Sequence, residues 1–147
     1  MSRQEQLSAW TKELSSRMPH LSKPQVVVLA MLSFGIAITR TCGRRTVAAF
    51  LAMLLGSKED AIEQRLQEWC CDAQDKSGKQ RRALDVTTCF APLLAWVVAL
   101  WVGTNIALAI DATSLGDRFV VLTVIVVYRG TGIPVIWTVL VSQKKEA

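Results

Sequence analysis

One carboxylate interrupts the most apolar part of this chain. Asp111 is the only acid between Val86 and Leu115, and it closes the run Ile106–Ile110. If that run is a strand, Ile106, Leu108 and Ile110 share one face, and Ala107, Ala109 and Asp111 share the other. The two alanines leave space beside the carboxylate. A charge in apolar surroundings is costly unless a positive group neutralises it. A divalent metal suits such a place, since Mg²⁺ is commonly held by one or two carboxylates together with substrate phosphates. The competing use is local, because an Asp at a strand end can also cap the turn that follows.

Other site chemistry finds little support. The four cysteines, Cys42, Cys70, Cys71 and Cys89, form no Cys-x-x-Cys pair, and His20 is the only histidine. That spacing builds no zinc site. Adjacent Cys70 and Cys71 point in different directions on a helix, and the expectation is four reduced, mostly buried thiols. His20 follows Pro19 at a helix end, which fits a surface or capping role.

The second functional signal is charge. The chain holds 17 basic and 12 acidic residues, net +5, with a pI near 9.3. Residues 1–58 hold eight basic against two acidic residues, net +6, and residues 59–147 hold nine against ten, net −1. A basic surplus confined to one half favours a polyanionic partner there. Arg40, Arg44 and Arg45 cluster between two expected helices, and Arg44 and Arg45 open the second of these, where free amides also favour phosphate. Lys79, Arg81 and Arg82 form a second basic group. Arg44, Arg45, Lys79, Arg81 and Arg82 are the expected DNA-binding residues, as backbone contacts and not base readers. Such contacts predict steep salt dependence and little sequence preference. Helices over Arg44–Leu55 and Lys58–Cys71, joined at Gly56-Ser57, have the layout of a helix-turn-helix. Against it, the second helix carries Glu59, Asp60, Glu63 and Glu68 beside only Lys58 and Arg65. That face repels DNA, and a plain helical bundle with a solvated basic edge is the competing reading.

The elements that position these residues follow from periodicity. Leu7, Trp10, Leu14 and Met18 make one apolar stripe on a helix over about residues 3–18. A second helix runs from Ser22, a good N-cap, through Pro24 to Thr39. It is apolar nearly all round and expected to be buried. The third, Arg44–Leu55, presents Val47, Phe50, Leu51 and Leu54 and stops at Gly56. The fourth takes Ser57 as N-cap, gathers acids in its first turns and buries Ile62, Leu66, Trp69 and Cys70. Residues 72–85 read as an exposed polar connection, and a fifth helix spans about Thr87–Trp101. After Gly103 the period changes. NIALAID is a strand ending on Asp111, SLGDR a turn, RFVVLTVIVVY a β-branched strand expected to be covered on both faces, RGTG a turn, and IPVIWTVLV a third strand. Short turns make the three an antiparallel meander.

These 147 residues are 51% hydrophobic and 20% charged, with a mean hydropathy of +0.31. That excludes a disordered chain and leaves a nucleic-acid protein or a small integral membrane protein. Residues 86–110 hold no charge, and residues 24–39 add a second uncharged stretch. The first is broken by Pro92 and by Gly103-Thr104-Asn105, and the second is shorter than the roughly 17–25 residues of a spanning helix. The polar, amphipathic first twenty residues hold no apolar signal region, so the expected location is cytoplasmic.

The stretch NIALAIDATSLGDRFVVLTVIVVYRGTGIPVIWTVL resembles the opening of the catalytic domain of DDE-type insertion-sequence transposases, in particular the insertion-sequence-four-like group. There an apolar strand ends on Asp and a small or hydroxyl residue, a hairpin follows, and then a strand of the form Gly-x-x-x-Pro-Val-x-Trp, here Gly130 to Trp137. The resemblance covers about residues 104–145. Residues 25–72 look more loosely like the helical DNA-binding region that precedes that domain. It implies an RNase H-like fold and metal-assisted phosphoryl transfer in DNA transposition, with two Mg²⁺ ions held by Asp, Asp and Glu. Asp111 would be the first of these, the catalytic and metal-binding residue, with Thr113 and Ser114 assisting.

The resulting expectation is an α+β chain: a helical DNA-binding region over 1–85, with a basic linker at 72–85, then the first three-stranded antiparallel meander of a truncated RNase H-like domain over 86–147. Asp117 belongs to a turn, and Glu146 cannot replace a missing ligand, so the chain is expected to be inactive alone in DNA cleavage and strand transfer. It reads either as a decayed gene product or as the upstream frame of a frameshifted mobile element, with Lys144-Lys145 at the slippage point. Expected partners are DNA at transposon ends and a second copy or a full-length transposase, with no small-molecule cofactor. The alternatives are a membrane protein with segments at 24–39 and 86–110, and a non-catalytic DNA-binding or inhibitory protein. Strands greasy on both faces without covering helices predict poor solubility.

Overall fold

The computed structural model describes residues 1–77 and 82–142. Lys79 and Arg81, and likewise Lys144, Lys145 and Glu146, lie outside the described residues. The chain divides into two compact units, with the boundary between Val86 and Thr87.

The first unit holds α1 (Arg3–Arg17), α2 (Lys23–Thr39), α3 (Arg44–Leu55) and α4 (Glu59–Trp69). At the start of α1, Ser2 Oγ accepts the Glu5 amide at 3.2 Å while the Glu5 carboxylate takes the Ser2 amide. Such a reciprocal cap stabilises a helix by about 1 kcal/mol. Leu7, Leu14 and Met18 are buried. Trp10 is half-buried, with its indole N–H donating to Ser33 Oγ of α2 at 2.8 Å. In α2, the Gln25 side chain accepts the backbone N–H of Ser22 at 2.9 Å. Arg40 ends this helix in the left-handed region, φ 55°.

The core gathers Met31 of α2, Val47, Ala48, Leu51 and Ala52 of α3, and Ile62 and Leu66 of α4. Gly35 permits this closeness: a Cβ there would lie 2.5 Å from Val47 Cγ1. The expectation that α2 is buried all round is corrected. It buries Val26, Ala30, Met31, Phe34 and Gly35 and leaves Val27 36% exposed, because helices flank only part of it. In α4 the N-cap is Lys58 and not Ser57, since Ser57 is still tied to α3 by its amide, which donates to the Ala52 carbonyl at 3.0 Å. Cys70 falls outside α4 and is exposed, as is Cys42, while Cys71 and Cys89 are half-buried. All four are free thiols, but the expected burial is wrong, because each sits at a helix end or a junction.

The second unit holds α5 (Phe90–Ala99), entered through the 3-10 turn Val86–Cys89, and the strands β1 (Ala107–Leu115), β2 (Phe119–Tyr128) and β3 (Thr131–Val141). The sheet order is β1-β2-β3, antiparallel throughout. The fold is therefore α+β, helices first and then a meander. Arg129 and Gly130, both with positive φ, make the two-residue turn that matches strand twist. Thr131 and Gly132, read as turn in the sequence, already belong to β3. A bulge falls opposite Val124 and Ile125, which pair with Ile136 and Pro134, so Val135 is the extra residue. Pro134 has no N–H to give, and an irregularity on an edge strand is where a sheet tolerates proline.

Two further expectations are corrected. β2 is not covered on both faces: Val126 is its only buried residue, and Leu122 and Val127 are exposed. Every residue of β1 is exposed, and in β3 only Val135 is buried. Among the described residues of this unit, α5 is the one helix packed against the sheet; Phe90 meets Trp137 edge to face at 4.8 Å. Among the described residues no single helix is long and apolar enough to cross a membrane, and the pair α2 and α3, apolar enough together, is bent by 102°.

Candidate functional site

Asp111 sits in the middle of β1, not at its end. The strand continues to Leu115, with Thr113 paired to Val121 and Ser114 to Val120. The local reading of Asp111 as a cap for the next turn therefore fails. That turn is Gly116-Asp117-Arg118, five residues on. Asp111 pairs with Thr123 of β2, which pairs in turn with Trp137 of β3. Directly paired residues share a face, so Asp111, Thr123 and Trp137 form one row across the sheet.

Along β1 the neighbours of Asp111 on that face are Ala109 and Thr113. The Thr113 hydroxyl donates to Asp111 Oδ2 at 2.7 Å. This orients the carboxylate and leaves its other oxygen open to solvent. Ser114 points to the opposite face and takes no part. A hard cation wants six or more oxygen ligands. The described residues offer one carboxylate and the hydroxyls of Thr113 and Thr123 on this face, and no group of three His, Cys, Asp or Glu side chains able to hold a metal occurs among them. The described residues do not fit a two-metal centre by themselves.

Of the expected DNA-binding residues, Arg44, Arg45 and Arg82 are described, all in the helical unit. Arg44 and Arg45, at the start of α3, both turn toward Glu63 of α4. Its Oε1 lies 3.2 Å from Arg44 Nε and 3.7 Å from Arg45 Nε. The side chain of Arg45 is still 87% exposed, that of Arg44 49%, so Arg45 is the freer to meet a phosphate. Arg40 stands nearby at the α2 terminus. Arg82 is exposed, and its carbonyl accepts the Lys76 ammonium at 2.7 Å.

A second charged group escapes sequence reasoning. Arg65 and Trp69, one turn apart on α4, line a cleft with Lys76 and Arg82. Glu68 belongs to the same wall. Its Oε1 accepts the Ser77 hydroxyl at 2.6 Å and the Gln64 amide at 3.0 Å. The Ser77 bond first, then the Gln64 bond, hold its carboxyl below the ordinary glutamate range, with a smaller push from Lys76. The one signal available in sequence was the Arg65/Trp69 spacing of four, which puts both on one helix face.

Comparison with protein-family models, with curated proteins and with solved structures returned no match.

Proposed function

We propose that the chain is the DNA-binding region and the opening of the RNase H-like catalytic domain of a DDE-type transposase of the insertion-sequence-four-like group. The observation that carries this reading is Asp111: a lone carboxylate on the first strand of an antiparallel meander, flanked on its face by small side chains. The third strand of that meander follows the Gly-x-x-x-Pro-Val-x-Trp pattern. The basic helical unit ahead of it supports DNA as the partner, and a DNA partner implies a cytoplasmic protein. Asp111 is then the first acidic residue of a metal centre whose other carboxylates come from outside the described residues.

The test has two arms. The chain should bind duplex DNA with affinity falling steeply as salt rises. Joined to the later part of a related transposase catalytic domain, it should cleave transposon ends with Mg²⁺, and Asp111→Ala should abolish that cleavage without changing DNA binding. Cleavage that survives Asp111→Ala would sink the reading.

One observation favours a second role for the chain by itself. Asp111 belongs to no group of three His, Cys, Asp or Glu side chains able to hold a metal among the described residues. On its own the polypeptide acts as a non-catalytic DNA binder that competes for transposon ends. Added to an active full-length transposase, it should lower cleavage in proportion to its concentration.

A further inference from the structure

The helical unit holds a cleft of about 340 Å³ whose lining, Arg82 apart, the reading above does not use. Its wall is built from three separate stretches: Arg65 and Trp69 on α4, Lys76 beyond the 3-10 turn Ala73–Asp75, and Arg82. The first turn of α2 closes the other side, with Val28 one turn further in. The positive end of that helix faces an anion favourably.

Charge and shape both narrow the ligand. Three cations face one carboxylate, Glu68, which is already engaged by Ser77 and Gln64. The cleft therefore has an excess of two positive charges. Among the described residues, neither Arg65 nor Arg82 has a carboxylate within ion-pair distance. Phosphate is the anion that such a fork of guanidinium and ammonium groups recognises. The half-buried indole of Trp69 and the Val28 side chain add an apolar, aromatic surface beside the cations. An aromatic ring next to a cationic groove is the usual platform for a stacked nucleobase. The volume falls at the lower end of small-ligand clefts, roughly 300–1,000 Å³.

We propose that this cleft binds one nucleotide unit, its phosphate held by Arg65, Lys76 and Arg82 and its base against Trp69. The ligand chemistry is that of a nucleoside monophosphate, supplied by a DNA strand or by a free nucleotide. The strand as source rests on the DNA-binding reading; the chemistry rests on the cleft alone.

The experiment follows the Trp69 indole N–H by NMR in the full chain, assigned with Trp69→Phe. Thymidine 5′-monophosphate, thymidine, inorganic phosphate and a short oligothymidylate are titrated in turn. The monophosphate should shift that signal and bind more tightly than thymidine or phosphate alone. The double variant Arg65→Gln/Lys76→Gln should bind it at least about tenfold more weakly, since the loss of even one charge-assisted contact has that effect, with an unchanged circular dichroism spectrum. A tighter response to the oligothymidylate identifies a DNA strand as the source, and a response to the monophosphate alone identifies a free nucleotide. An unmoved Trp69 signal with both ligands, or equal binding by the double variant, overturns the proposal. Duplex binding is measured in parallel. If duplex DNA fails to bind while the monophosphate still engages Trp69, the transposase reading falls and the cleft stands. If duplex DNA binds and the cleft does not respond, the reverse holds.

Discussion

Arg44 Nε lies 3.2 Å from Glu63 Oε1, so a residue expected to meet DNA is held by an acid from the next helix. Arg45 approaches the same oxygen at 3.7 Å. Glu63 thus competes with phosphate for both guanidinium groups and adds its own repulsion. Glu63→Gln should strengthen DNA binding several-fold at low salt, with the gain shrinking as salt rises, read by fluorescence anisotropy. Because the pair is partly exposed, stability should fall by no more than about 1 kcal/mol. Unchanged affinity would remove Arg44 and Arg45 from the DNA surface.

Gly35 of α2 packs directly against Val47 and Leu51 of α3. Replacing Gly by Ala inside a helix ordinarily stabilises by about 1 kcal/mol. Here the new methyl would lie 2.5 Å from Cγ1 of Val47, a residue with no exposed surface. Overpacking of a tight core costs about 1–3 kcal/mol, so Gly35→Ala should lower stability in chemical denaturation despite its better propensity. The pair Gly35→Ala/Val47→Ala should relieve the clash and show non-additive energies.

Arg40 takes a conformation that suits glycine. At φ 55° its Cβ is crowded against its own backbone, a cost of about 1 kcal/mol for a residue with a side chain. Arg40→Gly should raise the unfolding midpoint while weakening DNA binding by one charge. A fall in stability would mean that the Arg40 side chain contributes more than its backbone costs.

Glu68 offers a titration test. Its carboxyl is held below the ordinary range by Ser77 first and Gln64 second. A folded-state value below the unfolded one means that the Ser77–Glu68 tie stabilises the helical unit above the unfolded pKa. That stabilisation is lost as pH falls through the folded value. Ser77→Ala should raise the Glu68 carboxyl toward an ordinary glutamate, followed by its side-chain carbonyl carbon in NMR. No change on Ser77→Ala would show that the hydroxyl is not the cause.

The helical half was the more legible in sequence because its signals are local. The bounds of α3 were read directly, since Gly43 and Gly56 flank an unbroken apolar period. Ser22 and Pro24 marked the start of α2 for the same reason. The extent of β1 is not legible in sequence because Ser114 opens the turn-like run SLGDR, and only pairing with Val120 and Phe119 makes Ser114 and Leu115 strand. That reading places Asp111 at a strand end, whereas it lies at the strand centre. The Glu63 clasp joins residues 19 apart in sequence, and the cleft joins three separate segments. The clasp leaves no periodic trace, and the cleft leaves only the Arg65/Trp69 spacing.

The two borders of the sheet are unequal. On β3, Pro134 and the adjoining bulge interrupt the row of outward backbone groups, a common natural guard against strand addition. On β1, nine regular residues stand without proline, and Asp111 is their only charge. Growth by edge-to-edge pairing therefore has one open end and one closed end. Two copies joined border to border through β1 would leave only guarded margins outside, which would stop such pairing at a dimer.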